Sequence, residues 1–274
     1  FDKIKNIINA DNNVRFVDKE KDTVIESDKA TYLKNEEIVF TEGITEANIE
    51  NKYNFNSEDV EYFFQKKEIK SKNKSKIVDD DGNIYSASNF IYQIDKKLLK
   101  AEDVNLVTII DKDKKDNYHF SEGFFDFNKK SFLAKETKAK VHKDIFGNDE
   151  QDPRLYGSSS SGNENFTIVN NGIFTSCKMN DKCPPWSIYS EKITHDKVKR
   201  DLIYKNAILK IYDIPVLYFP KFFHPDPTVK RQSGFLIPSI ATSIPLYNAS
   251  FVTLSNFLTS LHTSPTSYVN AESP

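Results

Sequence analysis

A thirty-residue self-similarity runs through the first half of this chain and restricts it to a small set of folds. Ala30-Thr31-Tyr32, Val60-Glu61-Tyr62 and Phe90-Ile91-Tyr92 recur at a spacing of thirty. Each follows small or acidic polar residues (Ser27-Asp28-Lys29, Ser57-Glu58-Asp59, Ala87-Ser88-Asn89). Each precedes a polar turn: Lys34-Asn35-Glu36, Gln65-Lys66-Lys67, Asp95-Lys96-Lys97. A second apolar position recurs in phase at Val39, Ile69 and Leu99. A fourth copy, Ser121 to Phe127 with its turn at Asn128-Lys129-Lys130, comes about five residues late, delayed by a charged insertion at 111–116.

Within a copy the period is two. Val60, Tyr62 and Phe64 point one way and Glu61 the other; Phe125 and Phe127 flank Asp126 in the same manner. That alternation describes a strand with one buried and one wet face. Two such strands per thirty residues make a rung that cannot bury its apolar face alone, whereas stacked rungs can. The expected fold is all-β: an elongated, open β-jelly roll of two-strand rungs, with a simple sandwich as the plainer alternative. Tyr and Phe inside two leaning sheets would leave an apolar slot suited to acyl chains, or would pack only on each other. Open rungs at the ends would expose strand edges to a partner of like architecture.

Composition agrees with a β-rich chain. Phe and Tyr number 21 and 13, and only 38% of the 274 residues are hydrophobic. The 38 basic and 40 acidic residues leave a net charge of -2 and are spread along the chain, which argues against a nucleic-acid partner. No apolar run reaches the about 18 residues of a transmembrane helix. The first residues do not read as a signal peptide, so a leader is expected to have been removed, or the chain to begin inside a longer protein.

Residues 148–162, rich in Ser, Gly, Asn and Asp, read as a loop. Strand pattern resumes at 166–169 and 172–177, and again at 187–190 and 207–212. Residues 211–232 are apolar, aromatic and punctuated by proline, which removes a backbone donor and excludes a central strand or helix. They read as a stiff connector. The expected organisation is therefore a β-domain over 1–210, the connector over 211–232, and a second β-structure starting at 233–274.

Gly172 to Cys177, Cys183-Pro184-Pro185-Trp186, Ile193 to Asp196, Asn206-Ala207, Ile214 to Pro220 and Asp226 to Pro238 together resemble the LptD family of lipopolysaccharide-assembly outer-membrane proteins. The resemblance is dense from about 172 to 239 and looser over the preceding rungs. It implies a periplasmic jelly roll joined to the first strands of a very large outer-membrane β-barrel, here truncated. It implies lipopolysaccharide as the cargo, an LptA-type periplasmic bridge joined by edge-strand addition, and an LptE-type plug lipoprotein in the complete barrel. Cys177 matches a cysteine that bonds to the barrel's C-terminal part. With that part absent, the sequence leaves a local Cys177–Cys183 disulfide open. Pro238 matches a proline that weakens the first barrel strand at the lateral gate, and Pro245 is its counterpart on the next strand.

Tyr32, Val60, Tyr62, Phe90, Tyr92, Phe125 and Phe127 are the expected lining of the lipid groove, acting by apolar contact. No cofactor, metal site or catalytic group is expected. The five histidines have no zinc spacing, and eight glycines form no phosphate-cradling loop. Ser190, His195 and Asp196 make a triad in composition only, since adjacent residues on a strand face opposite ways. Two rival readings remain: a structural or adhesive cell-surface β-solenoid with a filled core, and a solenoid carbohydrate enzyme with clustered carboxylates.

Overall fold

The structure is a computed structural model that describes residues 4, 6–111, 114–142, 152–178 and 185–225. It is all-β over those residues, with seventeen strands joined into one continuous antiparallel array. Long strands open it: β1 (Ile7–Asp18), β2 (Thr23–Leu33) and β3 (Ile38–Ile49). The next rungs are broken mid-strand into β4 (Tyr53–Glu58) and β5 (Glu61–Phe63), β6 (Glu68–Ser71) and β7 (Ser75–Val78), then β8 (Ile84–Ala87) and β9 (Asn89–Gln93). Long strands then return: β10 (Leu98–Asp111), β11 (Lys114–Asp126), β12 (Ser131–Lys140), β13 (Arg154–Gly162), β14 (Phe166–Thr175), β15 (Trp186–Asp196), β16 (Asp201–Ile211) and β17 (Ile214–Pro225). Among the described residues no helix is long and apolar enough to cross a membrane, which says nothing of spanning strands.

Each strand folds over at its middle, and the inward pattern slips by one residue there. Inward residues run Tyr53, Phe55, Ser57, then Val60 and Tyr62. The same three-residue step separates Ala101 from Val104, Ala134 from Thr137, Val169 from Gly172 and Tyr204 from Ala207, all buried. Just before each second member sits a residue with left-handed φ: Asp59 (50°), Asp103 (50°), Glu136 (48°), Asn171 (47°) and Asn206 (51°). Such a bulge bends the strand and restores the same face to the interior on both arms.

The inner angle of the bend has room only for small side chains, and hydroxyls there satisfy the backbone groups the bulge releases. Thr41 Oγ1 accepts from the Val60 amide at 2.8 Å. Ser57 and Ser75 hydroxyls meet at 2.8 Å, and Thr137 and Ser160 at 2.6 Å. Ser190, one of the triad residues set aside above, donates instead to the Lys205 carbonyl at 2.7 Å. The small residue that heads each repeat, Ser27, Ser57 or Ala87, is this corner.

Lateral pairing explains the period of thirty. Directly opposed inward residues run Tyr32, Val39, Tyr62, Ile69, Tyr92, Leu99, Phe125, Phe132 across one sheet, so aromatic and aliphatic positions alternate as far as Phe125. The facing sheet carries Ile25, Ala47, Phe55, Ile77, Tyr85, Leu106, Tyr118 and Ala139. Because β3 pairs with both β4 and β5, and β10 with both β8 and β9, the strands β3-β4-β7-β8-β10-β9-β6-β5 close into a ring of eight. The remaining strands continue outside it on both sides. The expected open stack is thus closed over its early rungs. Tip-to-tip ion pairs join the two rows of hairpin turns there: Lys67–Glu20 (3.9 Å), Lys97–Glu50 (2.6 Å), Lys130–Asp81 (3.5 Å) and Lys21–Asp95.

Two segments differ from the sequence reading. The serine-rich stretch assigned to a loop contributes β13, paired on both sides, because its serines and glycines serve corners and close contacts rather than turns. Residues 214–225 of the expected connector form β17, which pairs only with β16 among the described residues, so Pro215 and Pro220 lie on an edge where their missing donors cost little. Residues 226–274, including Pro238, Pro245 and the expected start of the barrel, lie outside the described residues.

Two buried tyrosines at equivalent positions give a test of the core. Tyr62 donates to Asp18 Oδ2 at 2.6 Å, while the Tyr92 hydroxyl, equally buried, has no partner among the described residues. Tyr62→Phe is expected to destabilise by about 1–3 kcal/mol, and Tyr92→Phe to be neutral or stabilising by about 1 kcal/mol. Denaturant midpoints of the two variants check this directly.

Candidate functional site

The interior holds two buried clusters that do not merge. One fills the ring, from Ile25 to Phe125 and Ala134; the other gathers Val169, Trp186, Ile188, Ile193, Tyr204, Ala207 and Leu209. Where they would meet lies a cavity of about 560 Å³. One wall is the row Leu106, Tyr118, Ala139, Leu155, Phe174; the other is Phe125, Phe132, Val169, Ile193 and Tyr204. Its size falls in the roughly 300–1,000 Å³ range of small-ligand sites, and its walls are mostly apolar.

The cavity is hollow because large inward side chains lie along the sheet instead of reaching across. A Cβ on Gly123 would stand 2.5 Å from the Phe125 ring, and one on Gly172 would stand 2.5 Å from Ile193 Cδ1. These strand glycines act as seats onto which Phe125 and Ile193 fold back. The ring core lacks such seats, and its aromatics interdigitate: Phe55 and Tyr92 centroids are 5.0 Å apart, Phe55 and Phe90 5.3 Å.

Charge gathers at the rim. Asp79, Asp80 and Asp81 on the β7–β8 turn face Lys130 on the β11–β12 turn. Asp79 accepts from the Asn83 amide at 2.8 Å and from Tyr85 at 3.1 Å. Asp116 accepts from the His142 amide at 2.9 Å and from Tyr118 at 3.3 Å. Burial first, and the Asp79 carboxylate second, push the Tyr85 phenol well above its ordinary range; burial and Asp116 do the same to Tyr118. Burial also raises Tyr53 to about 12. Tyr85 and Tyr118 are thus neutral donors to those carboxylates. Among the described residues no group of three or more His, Cys, Asp or Glu could hold a metal ion.

At the far end the chain is clamped. Arg154, buried, donates to the carbonyls of Asp152 (3.1 Å) and Cys177. Thr175 Oγ1 donates to the Trp186 carbonyl at 2.8 Å, and the Cys177 thiol approaches the same oxygen at 3.6 Å. Tyr204 donates to His224 Nε2 at 3.0 Å while Nδ1 faces the Pro225 carbonyl at 2.8 Å, an arrangement that sets the proton on Nδ1.

No family model matches the chain. It is 40% identical over 78 residues to the LPS-assembly protein LptD of Yersinia enterocolitica, a match covering 28% of this chain and 10% of that protein. It is 38% identical over 78 residues to the LptD of Sodalis glossinidius and 37% identical over 78 residues to that of Escherichia coli K12, with the same coverage. Over that stretch the chain is similar to LptD proteins. The matched stretch spans about a tenth of the length of the curated relatives.

Of the groove residues named from sequence, Phe125 and Phe127 line the cavity. Val60, Tyr62, Phe90 and Tyr92 are buried in the ring core, and Tyr32 packs partly buried at its edge against Phe64, 5.8 Å between centroids. Sequence reasoning missed the opposite wall, Leu106, Tyr118, Leu155 and Phe174, which sits on the other arm of each folded strand. Its signal was available in the apolar residues at even spacing from Leu106 to Phe120, which the charged insertion interrupts. Cys177 is held as described, and Cys183 lies outside the described residues.

Two expectations follow. Folded phenols with raised pKa keep protons that the unfolded chain releases above about pH 10, so stability present below that pH falls as pH rises further. Thermal midpoints across pH 8–12 should drop above about 10, with phenolate absorbance from the buried tyrosines appearing only as the fold is lost. Gly123→Ala should lift the Phe125 ring from its seat and cost about 1–3 kcal/mol by overpacking, read as a lowered denaturant midpoint.

Proposed function

We propose that this chain is the part of an LptD protein that receives lipopolysaccharide by its acyl chains and passes it toward an outer-membrane barrel. The observation that carries the reading is the mostly apolar cavity between two packed cores, in a chain similar to LptD proteins over part of its length. A lining that is mostly apolar, with Asp116, Arg154, His195 and Lys197 among its polar members, suits aliphatic tails, which bind by area removed from water at about 25 cal/mol per Å². No covalent step is part of the reading, and the energy for directional movement comes from elsewhere.

In this reading Phe125 and Phe127 touch acyl chains in the closed form. Tyr32, Val60, Tyr62, Phe90 and Tyr92 touch them when the early rungs part along the row of ion pairs. The polar head stays outside, at the rim. Strand β1 pairs only with β2 among the described residues, which supports addition of an LptA-type bridge strand at that edge. Periplasmic placement of these rungs, the LptE-type plug, the gate at Pro238 and Pro245, and a disulfide from Cys177 complete the proposal. The filled ring taken by itself would suit a purely structural cell-surface stack; the cavity separates the two readings.

Site-specific photocrosslinking in cells that make lipopolysaccharide and carry the full-length protein tests this. A light-activated residue at Phe132 or Leu155 should yield lipid adducts, and outward Glu61 should yield none. Absence of adducts at both cavity positions in folded protein would overturn lipid carriage by this region.

A further inference from the structure

Phe127 stands on the boundary between the packed and hollow parts of the interior. One face of its ring stacks on Tyr53, 5.2 Å between centroids at an interplanar angle of 11°, and it also meets Tyr92 at 6.0 Å. Tyr53 and Tyr92 belong to the ring core. Phe127 nevertheless lines the cavity, as do Tyr85 at 5.7 Å and Phe125, whose ring meets Tyr85 edge-on at 5.1 Å. Behind this aromatic cluster the interior is filled; in front of it the interior is open. At the lip, directly beside the cluster, Lys130 and Asp81 form the last of the tip-to-tip ion pairs among the described residues.

We propose that Phe127, backed by Tyr53 and flanked by Tyr85 and Phe125, is the end wall of the cavity and fixes the length of aliphatic tail that it accepts. The inference rests on the acyl-chain reading and adds to it a residue that determines tail-length specificity. A tail entering from the hollow side loses water contact along Leu155, Phe132 and Phe125 and stops against the Phe127 ring. Each further methylene then has no apolar surface left to bury. Affinity therefore climbs with tail length, about fourfold per buried methylene, and levels off where the tail meets the wall. Removing the Phe127 ring opens the space between Tyr85 and Tyr92 and moves that limit outward. Enlarging it moves the limit inward.

The test uses the purified full chain and n-alkyl maltosides, whose head is uncharged, with tails of eight to fourteen carbons, held below their micelle concentrations, with binding followed by calorimetry. Wild type should gain about fourfold per methylene up to a plateau. Phe127→Ala should shift the plateau to longer tails by a few carbons, Phe127→Leu should shift it less in the same direction, and Phe127→Trp should shorten it. The Leu and Trp variants keep the wall apolar and retain the test if the Ala variant does not fold. A plateau at the same tail length in every folded variant would overturn the wall while leaving the acyl-chain reading intact. No binding of any tail to wild type would overturn that reading, and the wall with it.

Discussion

Everything in this molecule depends on the three-residue step at the middle of each strand. A strand of strict period two, folded over, would present its apolar face inward on one arm and outward on the other. The extra residue at the bend corrects the phase, so Phe55 and Tyr62 on the two arms of one strand meet the same interior. Left-handed backbone at Asp59, Asp103, Asn171 and Asn206 makes the turn, and Ser and Thr hydroxyls absorb the polar groups it frees. Without the correction there would be rungs but no enclosed interior.

Given that interior, the difference between filled and hollow halves is set by what each large side chain leans on. In the early rungs, aromatic rings from facing arms interdigitate and close the space. Past β10, Phe125 and Ile193 fold back onto glycines in their own sheet, and the two arms stand apart. The same fold thereby provides a rigid post and a receptive chamber in series, with Phe127 between them. The chamber's walls are mostly apolar, with Asp116 and Arg154 buried among them.

Much of this was written in the sequence as local pattern. The recurrence of Tyr32, Tyr62 and Tyr92 with Val39, Ile69 and Leu99 maps onto one row of opposed residues, so the all-β rungs were legible. The corners were visible as Ser27, Ser57 and Ala87, but a small residue before a strand looks the same whether it turns the chain or folds it. The serine-rich second half of β13 was misread for the same reason, since corner hydroxyls and ring seats have the composition of a loop. Closure of the early rungs rests on β3 pairing with both β4 and β5 and on β10 pairing with both β8 and β9, which no periodicity encodes. The hollow required knowing which glycine lies under which ring.

The two long sides of the closed ring are held by unlike forces. On the corner side, continuous backbone and buried hydroxyl pairs join the sheets. On the other, the joint consists largely of ion pairs at the tips of hairpins, half-exposed or more on at least one member of most pairs. Exposed pairs of this kind contribute about 0–1 kcal/mol each and are screened by salt. The shell therefore has the mechanics of a spectacle case, stiff at its hinge and lightly clasped at its lip. Outward pressure on the walls is relieved by parting the lip, with the bends left intact.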